Sequence, residues 1–194
     1  MRINNTGMIV AASFLFGLTS QGVILQSQDA RGGVESVSQA TDAKMKVLAA
    51  ASLPVKLGPA PIRLTLAPPS AAEEPTLSLA LKALKPDEHL YLVIRDLRAS
   101  GPPGVPYDVY LDLPPGAQPK PEDAHIVGTL NFYNSVGALA SNPGFFYSFD
   151  VTEIARSLQA RNLLGSRTTV TIAPSGVPEA NAEAVLGRIE LVKK

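Results

Sequence analysis

The chain has 194 residues, carries 17 Lys plus Arg against 17 Asp plus Glu, and is 45% hydrophobic. That length suits one domain with extensions and a core needing no covalent staples, while a formal charge of zero offers no basic field to a nucleic-acid backbone. Cysteine and tryptophan are absent, which excludes disulfides, thiolate metal sites and cysteine nucleophiles and weakens any aromatic platform for sugars.

Met8–Leu25 is an apolar run broken by Gly17, Thr19, Ser20, Gln21 and Gly22, with Arg2 before it. A basic start, an apolar run and small residues read as a secretory signal peptide over 1–25. A single membrane anchor is the rival, because the run nears the ~20 residues that span a bilayer. A cytosolic N-terminus of other use is the third reading. The polar break at Thr19–Gln21 favours the signal. Export to the periplasm or the outside follows from it, and a membrane is met only through this segment if it stays uncleaved. Gln26–Thr41 is polar, small and Gly-containing, so 26–45 reads as a flexible linker and 46–194 as the folded domain.

Within that domain, short apolar runs alternate at the strand period. Ser52–Leu57, Ile62–Leu66, Thr76–Leu81, His89–Leu97 and Tyr107–Leu113 come first. In the third, Leu77, Leu79 and Leu81 are expected to point inward. In the fifth, Tyr107, Val109, Leu111 and Leu113 share one face, and Asp108, Tyr110 and Asp112 the other. A proline-rich loop, Pro114–Asp123, leads to His125–Tyr133, where Gly128 predicts a bulge or a close backbone approach. Phe145–Phe149, Thr168–Ala173 and Val185–Val192 complete the set. One helix is expected near 151–162, because Asp150 and Glu153 stand at capping-box spacing before Ile154 and Leu158. The pattern predicts a mainly β chain: an antiparallel β-sandwich of about seven to nine strands with one short helix.

Chemistry-bearing residues are sparse. His89 and His125 are the two histidines, too few for confident triad reasoning, and no G-x-S-x-G elbow or phosphate loop occurs. His125 suits a structural role, its ring bonding a loop carbonyl; the rival is a metal or proton-transfer role. His89 follows a polar turn and reads as an exposed residue at a strand entry. Asp108 and Asp112 could hold a hard cation, although an exposed sheet face explains them more simply. Asp150 and Glu153 read as a helix cap before a paired-carboxylate hydrolase site. Phe145, Tyr147 and Phe149 fall on one side of their strand and Phe146 on the other. Phe145, Phe146 and Tyr147 are therefore a candidate partner contact, with packing at a strand edge or under the helix as the alternative.

Four segments in order resemble the C-terminal β-domain that follows the copper domain in bacterial tyrosinases and polyphenol oxidases. They are SLPVKLGPAPIRLTL (Ser52–Leu66), LYLVIRDLRASGPPGVPYDVYLDLP (Leu90–Pro114), HIVGTLNFY (His125–Tyr133) and FYSFDVTEIARSL (Phe146–Leu158), with TTVTIAP and GRIELV closing the chain. Tyr107, Asp108 and Tyr110 fall in the Y-D-V-Y unit of this pattern. His125, Val127, Gly128, Thr129, Leu130 and Phe132 fall in its H-x-V-G-T-L-x-F unit. In that family a helical domain binds two coppers, each through three histidines, and oxidises phenols; the C-terminal domain can lie over that site as a cover. Two histidines cannot supply such a cage. The resemblance thus implies no catalytic residue, no metal and no cofactor in this chain. It implies a non-catalytic companion or regulatory domain, with a separate type 3 copper oxidase domain as partner. An exported β-sandwich binding or adhesion module at the cell envelope is the alternative. A truncated relic of a copper oxidase is the third reading.

Overall fold

The strands form where β-branched, aromatic and leucine residues alternate with polar ones, and they pair without exception antiparallel among the described residues. The structure, a computed structural model, describes residues 45–51, 54–70, 76–133 and 145–194. They lie in one unit, Val37–Lys194. The expected signal peptide over 1–25 and, Met45 apart, the expected linker over 26–45 lie outside the described residues.

In chain order the elements are β1 (Lys46–Ala51), β2 (Val55–Lys56), β3 (Ile62–Thr65), α1 (Leu77–Lys82), β4 (Leu90–Leu97), β5 (Tyr107–Leu111), β6 (Ile126–Leu130), β7 (Phe145–Asp150), α2 (Thr152–Ala160), β8 (Thr169–Pro174), β9 (Val185–Leu186) and β10 (Arg188–Lys193). One sheet has the order β1-β10-β4-β7, a second β3-β8-β5-β6, and β2 pairs with β9 alone. The protein is mainly β, as its alternation predicts.

The two large sheets bury their facing sides against each other. Leu92 and Ile94 of β4 and Ile189 and Leu191 of β10 join Val109 and Leu111 of β5 and Ile172 of β8 in one apolar cluster. Each such side chain contributes about 1.5–3 kcal/mol by leaving water. Val151 and Ala155 at the start of α2, with Leu77 and Leu81 of α1, belong to the same cluster. β1 and β10 pair from Lys46↔Lys193 to Ala51↔Ile189, so the first and last described strands run side by side.

Three expectations change. Thr76–Leu81 is not a strand: it forms α1 and its cap. Thr76 Oγ1 accepts the Leu79 N–H at 3.2 Å, and Leu77, Ala80 and Leu81 are buried while Leu79 faces out. Over six residues an L-x-L-x-L run fits either period. Leucine and alanine favour the helix, and the threonine cap decides it.

The predicted helix is present as α2, but without a capping box. Asp150 Oδ1 accepts the Thr152 N–H at 2.9 Å. Glu153 points away and pairs with Arg156 at 2.6 Å.

The polar face of β5 is not an exposed sheet face. β5 is flanked by β6 and β8, and all five of its residues are buried. Tyr110, Leu113 and Ala173, with Ile126 against them, form a second small cluster on that outer side.

Candidate functional site

The motif residues converge on β5, β6 and the loop between them. Tyr107 stands edge-on to Phe132, ring centroids 5.7 Å apart and planes at 72°. Asp108 accepts from Thr129 Oγ1 at 2.8 Å and from Ser175 Oγ at 3.2 Å. Burial raises the Tyr110 phenol above its ordinary range, and the charges of Asp108 and Asp123 add to that. Gly128 sits where the ladder slips: Val109 pairs with Gly128, but Tyr110 pairs with Ile126. The Phe149 ring lies against that bare backbone, and a Cβ at position 128 would meet it at 2.6 Å.

His125 is 4% exposed, and both its backbone and its ring are tied down. Its N–H donates to Asp123 Oδ1 at 2.9 Å, and its carbonyl accepts from the Leu111 N–H at 2.8 Å. Its Nδ1 lies 2.8 Å from the Leu111 carbonyl. A carbonyl only accepts, so Nδ1 carries the proton. The ring lines a cleft of about 800 Å³ bounded by the loop residues Lys120–His125 and by Arg161 and Leu163 after α2.

Asp112, directly after β5, takes a left-handed conformation (φ 50°). Its Oδ1 accepts from the Thr169 N–H at 2.6 Å and Thr169 Oγ1 at 3.3 Å, its Oδ2 from the Gly165 N–H at 3.3 Å. Burial pushes its carboxyl above the usual range, opposed by those hydrogen bonds and by the charge of His125. Arg63 reaches over from β3 to the Leu113 carbonyl and to Thr169 Oγ1. Asp108 and Asp112 thus each have protein partners of their own, and no group of three or more potential metal-binding side chains occurs among the described residues.

His89 stands apart from these residues, exposed and directly before β4. Its Nδ1 lies 2.9 Å from Asp150 Oδ2, both side chains about half exposed. Burial pushes the Asp150 carboxyl up. The bonds from Thr152 and His89 outweigh it and hold the group below its ordinary value.

The aromatic residues of β7 divide. Tyr147 and Phe149 face the core, stacked at 6.0 Å with planes 11° apart. The Tyr147 hydroxyl donates to the Asn131 carbonyl at 3.0 Å and accepts the Asn131 N–H at 3.2 Å. It thereby ties the end of β6 to β7. Phe145 and Phe146 are 45% and 61% exposed, and Tyr133 is 89% exposed. The Arg95 guanidinium lies 5.9 Å from the Phe146 ring centroid. Beside them Pro102–Pro106 and Asn131–Tyr133 line a groove of about 610 Å³.

Residues 15–194 match the family described as "Domain of unknown function (DUF7868)". The chain belongs to that family. No curated protein matches it. Among solved structures, this DUF7868 chain is similar to a latent apple tyrosinase, at 17% identity and a TM-score of 0.47, over 73% of this chain and 27% of that one. It is also similar to a recombinantly expressed latent aurone synthase (polyphenol oxidase), at 18% identity and a TM-score of 0.46, over 73% of this chain and 25% of that one. Aurone synthase from its natural source gives 18% and 0.44, over the same shares. The DUF7868 chain thus spans about a quarter of the length of these structures.

Two features of this DUF7868 domain escape a reading of the sequence. Arg161 and Leu163 reach the cleft from a segment distant in sequence, and no periodicity links them to Lys120 or His125. Tyr133 follows a regular strand pattern, yet its side chain falls beyond β6, which ends at Leu130.

Proposed function

We propose that this DUF7868 domain is a non-catalytic companion or regulatory domain that docks on, or covers, a separate type 3 copper oxidase domain. The exported setting belongs to the same proposal and rests on residues 1–25 being a signal peptide. One observation carries the reading: Phe145 and Phe146 turn outward on β7, a strand with β4 as its neighbour at the margin of its sheet. Exposed aromatic side chains at such a margin supply large contact area at little cost in side-chain entropy. The order of the four sequence segments gives the partner its chemical class. The motif residues themselves support a scaffold role, since Asp108, His125 and Gly128 are engaged in holding β5 to β6 and to Phe149.

The test is to mix the purified full chain with a copper-loaded type 3 oxidase from the same source. Comigration on gel filtration is expected, with phenol turnover lowered if the domain covers the copper site. The double variant Phe145→Ser, Phe146→Ser should weaken association by about tenfold or more, as for interface aromatics in general. No association at micromolar concentration would overturn docking. Stoichiometric copper with phenol turnover by the isolated chain would overturn the non-catalytic reading.

A further inference from the structure

We propose that the groove lined by Pro102–Pro106 and Asn131–Tyr133 takes the proline-rich loop Pro114–Pro121 of a second copy of this chain, with Lys120 of one protomer set against Glu179 of the other. The docking reading rests on Phe145 and Phe146, which take no part in this contact, so the two stand or fall separately.

The groove, of about 610 Å³, narrows the class of occupant. The Tyr133 ring, 89% exposed, offers a bare apolar face beside the rigid rings of Pro102, Pro103 and Pro106. Those prolines lack N–H groups, and the carbonyls of Pro103 and Pro106 already accept from the Glu179 and Ser175 N–H groups at 2.8 and 3.0 Å. The segment therefore cannot pair with an added β-strand, which needs donors and acceptors along its edge. The Asn131 carboxamide and the Tyr133 phenol can donate hydrogen bonds. A polyproline II segment has the matching make-up: apolar rings, carbonyls free of internal hydrogen bonds and few N–H groups. The lining itself carries no charge, but Glu179 stands on its rim. Its Cγ would lie 3.3 Å from a Cβ on Gly104, and its carboxylate makes no ion pair among the described residues. One cation on the occupant is selected.

Pro114–Pro121, PPGAQPKP, is such a segment. It is exposed except at Pro119, which is partly buried. The Ala117 N–H donates to the Pro114 carbonyl at 3.1 Å, with Gly116 at φ 77°, so a tight turn presents the four residues that follow. Pro119 and Pro121 have φ fixed by their rings. Gln118 and Lys120 each precede a proline, which pushes them to the extended and polyproline II region. The stretch is preset in the form the groove calls for, and docking orders little that is not ordered already. Lys120 is its single charge and makes no ion pair among the described residues. Within one protomer, β5 (Tyr107–Leu111) holds the groove and the loop at its opposite ends, about 16 Å apart at the rise of a strand. The occupant therefore comes from another copy. Two copies set antiparallel along β5 bring each loop to the other's groove, a closed two-fold pair in which the second contact is intramolecular once the first has formed.

Sedimentation velocity of the purified full chain should show a monomer–dimer equilibrium that tightens as salt is lowered. Lys120→Glu and Glu179→Lys, both at exposed positions, should each weaken the dimer by about tenfold. The two changes together exchange the charges and should restore it to within about threefold of the native value. Tyr133→Ser should weaken it by about tenfold or more. The synthetic peptide PPGAQPKP in excess should dissociate the dimer and shift the NMR signals of Val105 and Tyr133. A chain that stays monomeric at about 1 mM would overturn the proposal. So would a dimer that ignores both charge reversals, one that the combined exchange fails to restore, or one that excess peptide leaves intact.

Discussion

A methyl group at position 128 would sit 2.6 Å from the Phe149 ring, inside any tolerable contact. Gly128→Ala therefore forces either the ring or β6 to move, and overpacking of this kind costs about 1–3 kcal/mol. Chemical denaturation should show that loss; an unchanged midpoint would mean that the ring yields freely. The same ring contact explains why glycine stands inside an otherwise β-branched and leucine-rich strand. Asp112 makes a second prediction, this one in pH. Its folded carboxyl is raised above the ordinary aspartate value, with burial as the largest cause. The folded state then holds the proton more tightly than the unfolded chain. Its contribution is fully present below the unfolded value and is lost as pH rises through the folded one. Unfolding curves of the native chain and of Asp112→Asn should differ by an amount that shifts in that sense across the acid range. A difference independent of pH would refute the assignment.

Among the elements, α1 is the sharpest case of a competing period. Thr76→Ala removes its cap and should cost about 1 kcal/mol, whereas a β-strand at that position would gain or lose little from the same change. Leu77→Ala should cost about 2–5 kcal/mol, because its side chain is buried in the main core. Thermal melts of both variants check the pair. The strands β5, β6, β8 and β10 were legible because their alternation runs through valine, isoleucine, leucine and tyrosine over five or more residues. β1 was not: its sequence KVLAAA is alanine-rich, and alanine carries almost no strand signal. The burial of Asp108, Tyr110 and Asp112 was equally hidden. Alternation sorts residues onto two faces, but it cannot say that Thr129, Gly165, Thr169 and Ser175 supply the partners on the polar one. For the same reason the cleft was invisible. Its histidine belonged to a recognised motif, while its arginine lay on the far side of α2.

At the scale of the molecule, the two large sheets meet through one core, and Tyr147 fastens their neighbouring margins through Asn131. Tyr147→Phe keeps the ring stacking on Phe149 and removes both hydroxyl contacts. A loss of about 1–2 kcal/mol is expected for the two bonds, together with faster amide exchange at Asn131; unaltered exchange there would show that the fastening is incidental. The pairing of β1 with β10 has a mechanical consequence. Since Lys46 lies opposite Lys193, tension applied between those two positions would open the ladder one rung after another, like a zip, instead of loading its rungs together. Stretched from these points in an optical trap, the domain should yield at low force, giving way first along its seam.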